Sequence, residues 1–115
     1  MTKRNFKLYL KDILDAIAKI EEYTKDLSYE KFAEDNMVID AVIRNFEIIG
    51  EASKNIPEEI KTSYPDIPWK EMAGMRDKVI HEYFGIDLDI VWKTIKARLS
   101  SLKESLLKIL NSEVK

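Results

Sequence analysis

Four side chains that could bind a phosphate or transfer a proton lie within one short stretch of the sequence, MRDKVIHEYFG. They are Arg76, Asp77, His81 and Tyr83. An arginine offers a planar fork of N–H donors that fits phosphate oxygens, and histidine is the side chain best suited to proton transfer near neutral pH. A tyrosine can bind a phosphate through its hydroxyl or accept a covalent modification. The residue types in this stretch therefore suit phosphate binding combined with acid–base chemistry.

Helical geometry decides which of these side chains could meet. On a helix Arg76 and Tyr83 lie within about 20° of each other, whereas Arg76 and His81 are about 140° apart. Three arrangements would bring Arg76 and His81 together: a curled arginine side chain, a distorted helix, or a site completed across a dimer interface. Asp77 lies four residues before His81, where its carboxylate can touch the imidazole and favour the cationic form. The same residues also fit purely structural roles, in which His81 caps the end of a helix and Arg76 and Asp77 form an ion pair on the surface.

The composition of the chain excludes most cofactor chemistry. Its 115 residues include one histidine, three glycines and no cysteine. Thiol catalysis, disulfides and Cys-rich zinc sites are therefore excluded. The glycines at 50, 74 and 85 are too far apart for a Walker A loop or a GxGxxG turn. We expect a single domain over residues 1–115 with no metal and no cofactor. If the chain is an enzyme, His81 is its obvious acid–base group. The alternative is that the chain is a binding module.

Charge is distributed unevenly along the chain. The formal net charge is −2, with +3 in residues 1–19, −7 in residues 20–71 and +2 in residues 72–115. A polyanion would have to bind a basic surface built from the two ends, although solvated helix faces would give the same pattern. No signal peptide is evident and no apolar run approaches the roughly 18 residues of a membrane span, so we expect a soluble, cytoplasmic protein.

The first half of the chain has the three-and-four spacing of apolar residues that is typical of helices. This spacing predicts a first helix over about 4–26. Ser28 can cap a short second helix, and Asp35 or Asn36 can open a third helix that continues to about residue 54.

The second half is predicted to be helical as well. Pro57 fits the first turn of a short helix. Pro68, at a first-turn position, starts another helix from 69 to about 84 that Gly85 can end. Asp87 can cap the last helix, whose apolar stripe runs from residue 88 to 109. We find no strand signal and therefore expect an all-α, up-and-down bundle of about four main helices plus short helices.

The predicted third helix carries two apolar stripes with a narrow polar stripe beside them. The apolar stripes consist of Val38, Val42, Ile49 and Ala52, and of Ile39, Ile43 and Phe46; the polar one consists of Asp40, Arg44, Glu47 and Glu51. A helix that is apolar around most of its circumference must be buried on two sides. One of those sides could be covered by a partner subunit, or the helix could be the central helix of the core.

These residues resemble those of a known family. Arg76, Asp77 and His81 match the R-x(4–6)-H motif of HEPN domains, in which a polar residue often follows the arginine. With Tyr83 the pattern reads R-x4-H-x-Y, which resembles the HepT-like toxin family. The similarity covers most of the chain and includes the flanking segments 44–52, 68–69, 72–76, 86–87 and 91–92.

The resemblance implies an all-α homodimer that acts as a toxin and is paired with a minimal nucleotidyltransferase antitoxin. The toxin would be a metal-independent ribonuclease with the motifs of both protomers facing one cleft. Arg76 and His81 would be the catalytic pair, and Asp77 would be the polar residue that supports them. Tyr83 would receive AMP from the antitoxin. The expected partners are RNA, the antitoxin and a second copy of the chain.

Two other interpretations are left open by the residues. In the first, the chain is a non-catalytic helical module that docks a nucleotidyltransferase or a nucleotide, and the motif is only a contact. The acidic residues 20–71 suit a basic protein partner, whereas the basic ends of the chain suit RNA. In the second, the chain is a purely structural bundle.

Overall fold

The computed structural model describes residues 5–74 and 88–112, and the regular structure in these two ranges is entirely helical. The helices are α1 (Phe6–Thr24), α2 (Tyr29–Glu34), α3 (Asn36–Lys54), α4 (Glu58–Ser63), the helical residues 69–74, called α5, and α6 (Leu88–Ser112). The predicted all-α fold class is therefore confirmed. Within these ranges no helix is both long and apolar enough to cross a bilayer.

Two of the predicted helix caps make the expected hydrogen bonds. The Ser28 hydroxyl accepts the backbone N–H of Lys31 at 3.2 Å, at the start of α2. The Asp35 carboxylate accepts the N–H of Val38 at 3.1 Å, at the start of α3. Asp35 is thus the cap of α3, and Asn36 is its first helical residue. Each cap satisfies an amide that has no acceptor within its own helix.

The connection from α3 to α5 differs from the prediction by one position. Pro57 was predicted in the first turn of α4, but it is the N-cap residue, because its ψ of 146° keeps it extended. Glu58 and Glu59 occupy the first turn of α4, where negative charge is favourable. The predicted continuation of the 69–84 helix beyond residue 74, its end at Gly85 and the Asp87 cap lie outside the described residues.

The core forms around one face of α1, which packs against both α3 and α6. The buried residues of α1 are Leu10, Ile13, Ala16, Ile17, Ile20 and Thr24. Those of α6 are Val91, Ile95, Leu99, Leu102, Leu106 and Ile109, which confirms the stripe predicted for the last helix. The short helix α2 contacts α3 and α6 and contributes the fully buried Phe32.

Both apolar stripes of α3 lie largely in the core. Val42 and Ile49 of the first stripe are fully buried. Ile39 and Phe46 of the second stripe are almost fully buried. The neighbouring polar stripe faces solvent, and Arg44 is exposed. Contacts within one chain therefore account for the burial of α3, as expected of the central helix of the core.

Three polar side chains in the core are satisfied by the helix that carries them. The Thr24 hydroxyl, the Asn45 amide and the Ser53 hydroxyl each donate to the carbonyl oxygen four residues earlier, at 2.8, 2.8 and 2.6 Å. A buried polar group without such a partner would cost about 1–3 kcal/mol. The helical backbone itself therefore makes these residues compatible with an apolar core.

We predict that Asp35→Ala lowers the free energy of unfolding by about 1 kcal/mol, because the first turn of α3 loses its side-chain acceptor. Urea unfolding followed by circular dichroism measures the change. Asn36→Ala is the matched control, since the exposed Asn36 makes no cap contact, and its effect should stay within about 0.5 kcal/mol. Equal effects of the two substitutions would contradict the assignment of the cap.

Candidate active site

The four predicted site residues, Arg76, Asp77, His81 and Tyr83, fall between the two described ranges. Their arrangement therefore stays a prediction. The structure describes the elements on either side of them, which are α5 and the start of α6. These two elements position the chain where it enters and leaves the segment that carries the motif.

The approach to the motif is held in the bundle by two buried side chains of α5. Trp69 is 7% exposed, and its indole N–H donates to the carbonyl oxygen of Tyr64 at 3.0 Å. This bond satisfies the one polar group of the indole, as a buried tryptophan requires. Met72 is fully buried and lies four residues before Arg76. The chain is therefore anchored in the core four residues before the predicted catalytic arginine.

The exit from the motif is anchored by an aromatic cluster at the start of α6. The Trp92 ring lies 5.0 Å from the Phe32 ring and 6.3 Å from the Tyr29 ring, measured between centroids. The ammonium group of Lys96 lies 4.6 Å from the centroid of the Trp92 ring, as in a cation–π contact. These contacts fix the first turns of α6 against α2.

A groove of about 930 Å³ lies between α5 and α6. Such a volume is within the range of ligand sites in proteins. Its floor is apolar and includes Phe46, Met72 and Leu102, and its lining reaches Gly74 and Ile90. Among the lining residues that the structure describes, Gly74 and Ile90 are the closest in sequence to the motif on either side. The groove therefore adjoins the segment that carries the predicted site residues.

The rim of this groove carries an ion pair that joins its two walls. A guanidinium nitrogen of Arg98 in α6 lies 3.0 Å from a carboxylate oxygen of Glu71 in α5. The hydroxyls of Thr94 and Ser105 line the same wall, and each donates to the carbonyl oxygen four residues earlier in α6. The groove thus combines an apolar floor with polar and charged groups at its edge.

These groove residues are not among the site residues predicted from the sequence. A signal was present, because Thr94, Arg98, Ser101 and Ser105 recur at helical spacing and form a second stripe on α6. This stripe lies roughly 85° from the centre of the core stripe. Three of these residues are polar and uncharged and one is charged, so a search for apolar stripes or for charged stripes does not find them.

A second, smaller cleft of about 580 Å³ lies between α1 and α3. Its charged lining residues are Asp12, Arg44, Glu47 and Glu51, and Arg44 and Glu47 approach each other to 4.0 Å. The charged lining of this cleft is mostly acidic, as is that of the larger groove, which consists of Asp66, Glu71 and Arg98. Over residues 5–74 and 88–112, no group of three or more histidine, aspartate or glutamate residues is arranged to hold a metal ion.

Comparison with known proteins identifies the class to which this bundle belongs. A family model described as "Ribonuclease HepT-like" matches residues 13–109. A protein of Thermococcus cleftensis named "Probable ribonuclease HepT" is 55% identical over 101 residues, which are 88% of this chain and 92% of that protein. The chain therefore belongs to the HepT-like ribonuclease family. This membership confirms the predicted family and the predicted enzyme class.

Two proteins of Methanocaldococcus jannaschii are also similar. One is named as a gamma-glutamylcyclotransferase and candidate RNase and is 49% identical over 108 residues. These residues are 94% of this chain but 49% of that protein, so the chain spans about half of its length. The other is named as a candidate RNase and is 48% identical over 110 residues, which are 96% of this chain and 95% of that protein. No solved structure matches the chain at a significant level.

Proposed function

We propose that this chain is a metal-independent ribonuclease toxin of a toxin–antitoxin pair, with Arg76 and His81 as its catalytic residues. The observation that carries the proposal is the match of the HepT-like ribonuclease model to residues 13–109, a range that contains the whole R-x4-H-x-Y pattern. Cleavage of RNA by these side chains needs no metal, because the substrate supplies its own nucleophile in the 2′-hydroxyl.

The reaction that fits these residues is an internal phosphoryl transfer. His81 removes the proton of the 2′-hydroxyl, whose oxygen attacks the adjacent phosphorus while the bond to the 5′-oxygen breaks. The 5′-oxygen leaves with a proton, so the products carry a 2′,3′-cyclic phosphate and a 5′-hydroxyl. The guanidinium of Arg76 stabilises the charge that develops on the non-bridging oxygens. Asp77, four residues before His81, orients the imidazole and stabilises its cationic form.

One histidine per chain makes a second copy part of this mechanism. The transfer uses one group to accept a proton and another to donate one, and the chain contains a single histidine. Two copies that face a shared cleft supply two imidazoles, one as base and one as acid. The proposal therefore includes a homodimer with both motifs at one cleft.

Tyr83 is the proposed target of the antitoxin. A nucleotidyltransferase would join the phosphorus of AMP to the Tyr83 oxygen, with release of pyrophosphate from ATP. On a helix Tyr83 and Arg76 lie within about 20° of each other. The added phosphate would therefore compete with the substrate for Arg76, and its charge and bulk would exclude RNA from the cleft.

The catalytic assignment is tested by RNA cleavage in the presence of EDTA. We expect the wild-type chain to cleave RNA and His81→Ala to lower the rate by about 10²–10⁴-fold, as is typical when a general acid–base group is removed. Arg76→Ala should also lower the rate strongly, because the transition state loses a charge-assisted contact. Lys108→Ala, which removes an exposed cation of α6, is the control and should leave the rate unchanged.

Two results would contradict this assignment. Cleavage that survives both Arg76→Ala and His81→Ala would place the activity elsewhere. A wild-type chain that binds RNA or a nucleotidyltransferase but leaves RNA intact would support the non-catalytic binding module instead. End-group analysis of the products adds a further check, since a 3′-hydroxyl end would exclude attack by the 2′-hydroxyl.

The shared cleft predicts that subunits do not act independently. Adding His81→Ala chains to a constant amount of wild-type chain, under conditions of subunit exchange, should lower the activity per wild-type chain steadily. The reason is that each mixed dimer lacks either the acid or the base. Denatured His81→Ala chain is the control for non-specific effects. Constant activity per wild-type chain would contradict catalysis by a dimer.

The role of Tyr83 predicts a specific modification. After coexpression with the partner nucleotidyltransferase, mass spectrometry should find an adenylyl group on the peptide that contains Tyr83, and RNA cleavage should be lost. Tyr83→Phe should remain unmodified and should escape neutralisation, because it lacks the acceptor oxygen. Tyr23→Phe, at an exposed tyrosine of α1, is the matched control. An unmodified Tyr83 in the presence of an active partner would contradict the proposed regulation.

A further inference from the structure

The segment that carries the motif begins and ends at one groove. Residues 75–87 join α5 to α6, and the groove between these helices is lined by Gly74 before the segment and by Ile90 after it. Both ends of the segment are therefore attached to the walls of a single groove. The spacing of these walls sets the distance between the points at which the chain enters and leaves the segment that contains Arg76 and His81.

The two walls are anchored to different parts of the bundle. On α5, Met72 is fully buried, and the indole N–H of Trp69 donates to the carbonyl oxygen of Tyr64 at 3.0 Å. On α6, the core stripe that includes Leu99 and Leu102 packs against α1. Because these anchors lie on the core side of each helix, the spacing at the outer rim of the groove depends on side chains that cross it.

One ion pair crosses this rim. The Nη1 atom of Arg98 on α6 lies 3.0 Å from the Oε2 atom of Glu71 on α5, 27 residues earlier in the sequence. The other charged residue of the described lining, Asp66, is acidic and cannot replace Arg98 as the partner of Glu71. The pair therefore links the two walls electrostatically.

The exposure of the pair limits how strongly it can act. The Arg98 and Glu71 side chains are 62% and 68% exposed, so water screens their attraction. Exposed ion pairs contribute little free energy, so the buried core rather than this pair holds the fold together. The rate of an enzymatic reaction, in contrast, is sensitive to displacements of about 1 Å in the reacting groups. A weak contact that biases the spacing of the walls can therefore change the rate without unfolding the chain.

We propose that Glu71 and Arg98 are a positioning pair, which holds α5 and α6 at the spacing that brings the motif segment into its active arrangement. The inference rests on the proposed function, because the groups that the pair positions are Arg76 and His81. Glu71 and Arg98 do not take part in the reaction themselves; both act through the walls to which the segment is attached. The pair adds two residues outside the motif on which catalysis depends.

Steady-state cleavage of RNA by the full-length chain at low salt tests the pair. Glu71→Ala and Arg98→Ala should each lower kcat about two- to five-fold, the range that the coupling of an exposed ion pair allows, and should leave KM nearly unchanged. The double alanine variant should be no slower than either single variant, because the second substitution removes a side chain that has already lost its partner. The charge-swapped chain, with Glu71→Arg and Arg98→Glu, should recover most of the wild-type kcat.

The ion pair between Lys103 and Glu21 is the matched control. It also joins α6 to another helix, at 3.1 Å, but that helix is α1, which does not flank the motif segment. Lys103→Ala should therefore leave kcat unchanged. Equal losses of kcat for Lys103→Ala and Arg98→Ala would overturn the inference, as would a charge-swapped chain that is as slow as the single variants. A higher kcat in Glu71→Ala would also overturn it, because Glu71 would then oppose the active arrangement.

The spacing of the walls can be measured without any reaction. The chain contains no cysteine, so Lys70→Cys and Ala97→Cys, at exposed positions of α5 and α6, supply the two thiols needed for nitroxide spin labels. Dilution of the labelled chain with unlabelled chain restricts the measurement to distances within one chain. Electron paramagnetic resonance should find a distance distribution that broadens or shifts when Arg98→Ala is added and stays the same when Lys103→Ala is added. An unchanged distribution in the Arg98→Ala background would overturn the inference.

Failure of this inference can be distinguished from failure of the proposed function. If the wild-type chain cleaves RNA and Glu71→Ala and Arg98→Ala behave as Lys103→Ala does, the pair has no positioning role and the catalytic assignment stands. If the wild-type chain does not cleave RNA, the catalytic assignment fails, and the distances between the labels still decide whether the pair fixes the spacing of α5 and α6.

Discussion

The burial of α1 against both α3 and α6 is the constraint on which the rest of the bundle depends. Its apolar face contacts α3 on one side and α6 on the other. An ion pair between Glu21 and Lys103 at 3.1 Å joins α1 to α6 at the edge of this contact. Without this packing, α3 and α6 would lose the main surface against which their apolar residues are buried.

The groove is a consequence of this packing, because one face of α6 belongs to the core and the neighbouring face lines the groove. Its core stripe fixes the helix against α1, and the neighbouring stripe then faces α5. Arg98 reaches Glu71 across this space, and Phe46 of α3 contributes to the floor. The position of Arg98 is therefore determined by residues such as Leu99 and Leu102, which do not touch its guanidinium. A substitution in the core face of α6 would move the groove as well as weaken the core.

The helices were predictable because the information that specifies them is local. Apolar spacing identified the core residues of α6, and short-range capping chemistry identified Ser28 and Asp35. The burial of Thr24, Asn45 and Ser53 was not predicted, because a polar side chain can enter a core only when its hydrogen bond is provided, here by a carbonyl one turn earlier. The groove was also missed, because Glu71 and Arg98 are 27 residues apart in sequence and meet only in the folded chain. The family was recognised from the motif, since catalytic groups are restricted in type and spacing, whereas groove residues need only suitable size and polarity.

The ion pair between α1 and α6 has a consequence for how the chain is made. Its two residues are separated by 82 positions, so the contact closes a loop that contains most of the protein. During synthesis α1 emerges early and lacks one of its two packing partners until α6 has left the ribosome. Contacts between such distant segments form only after the entropy of closing the loop has been overcome. A nascent chain therefore cannot complete its core, or the groove beside it, until α6 has been synthesised and has reached α1.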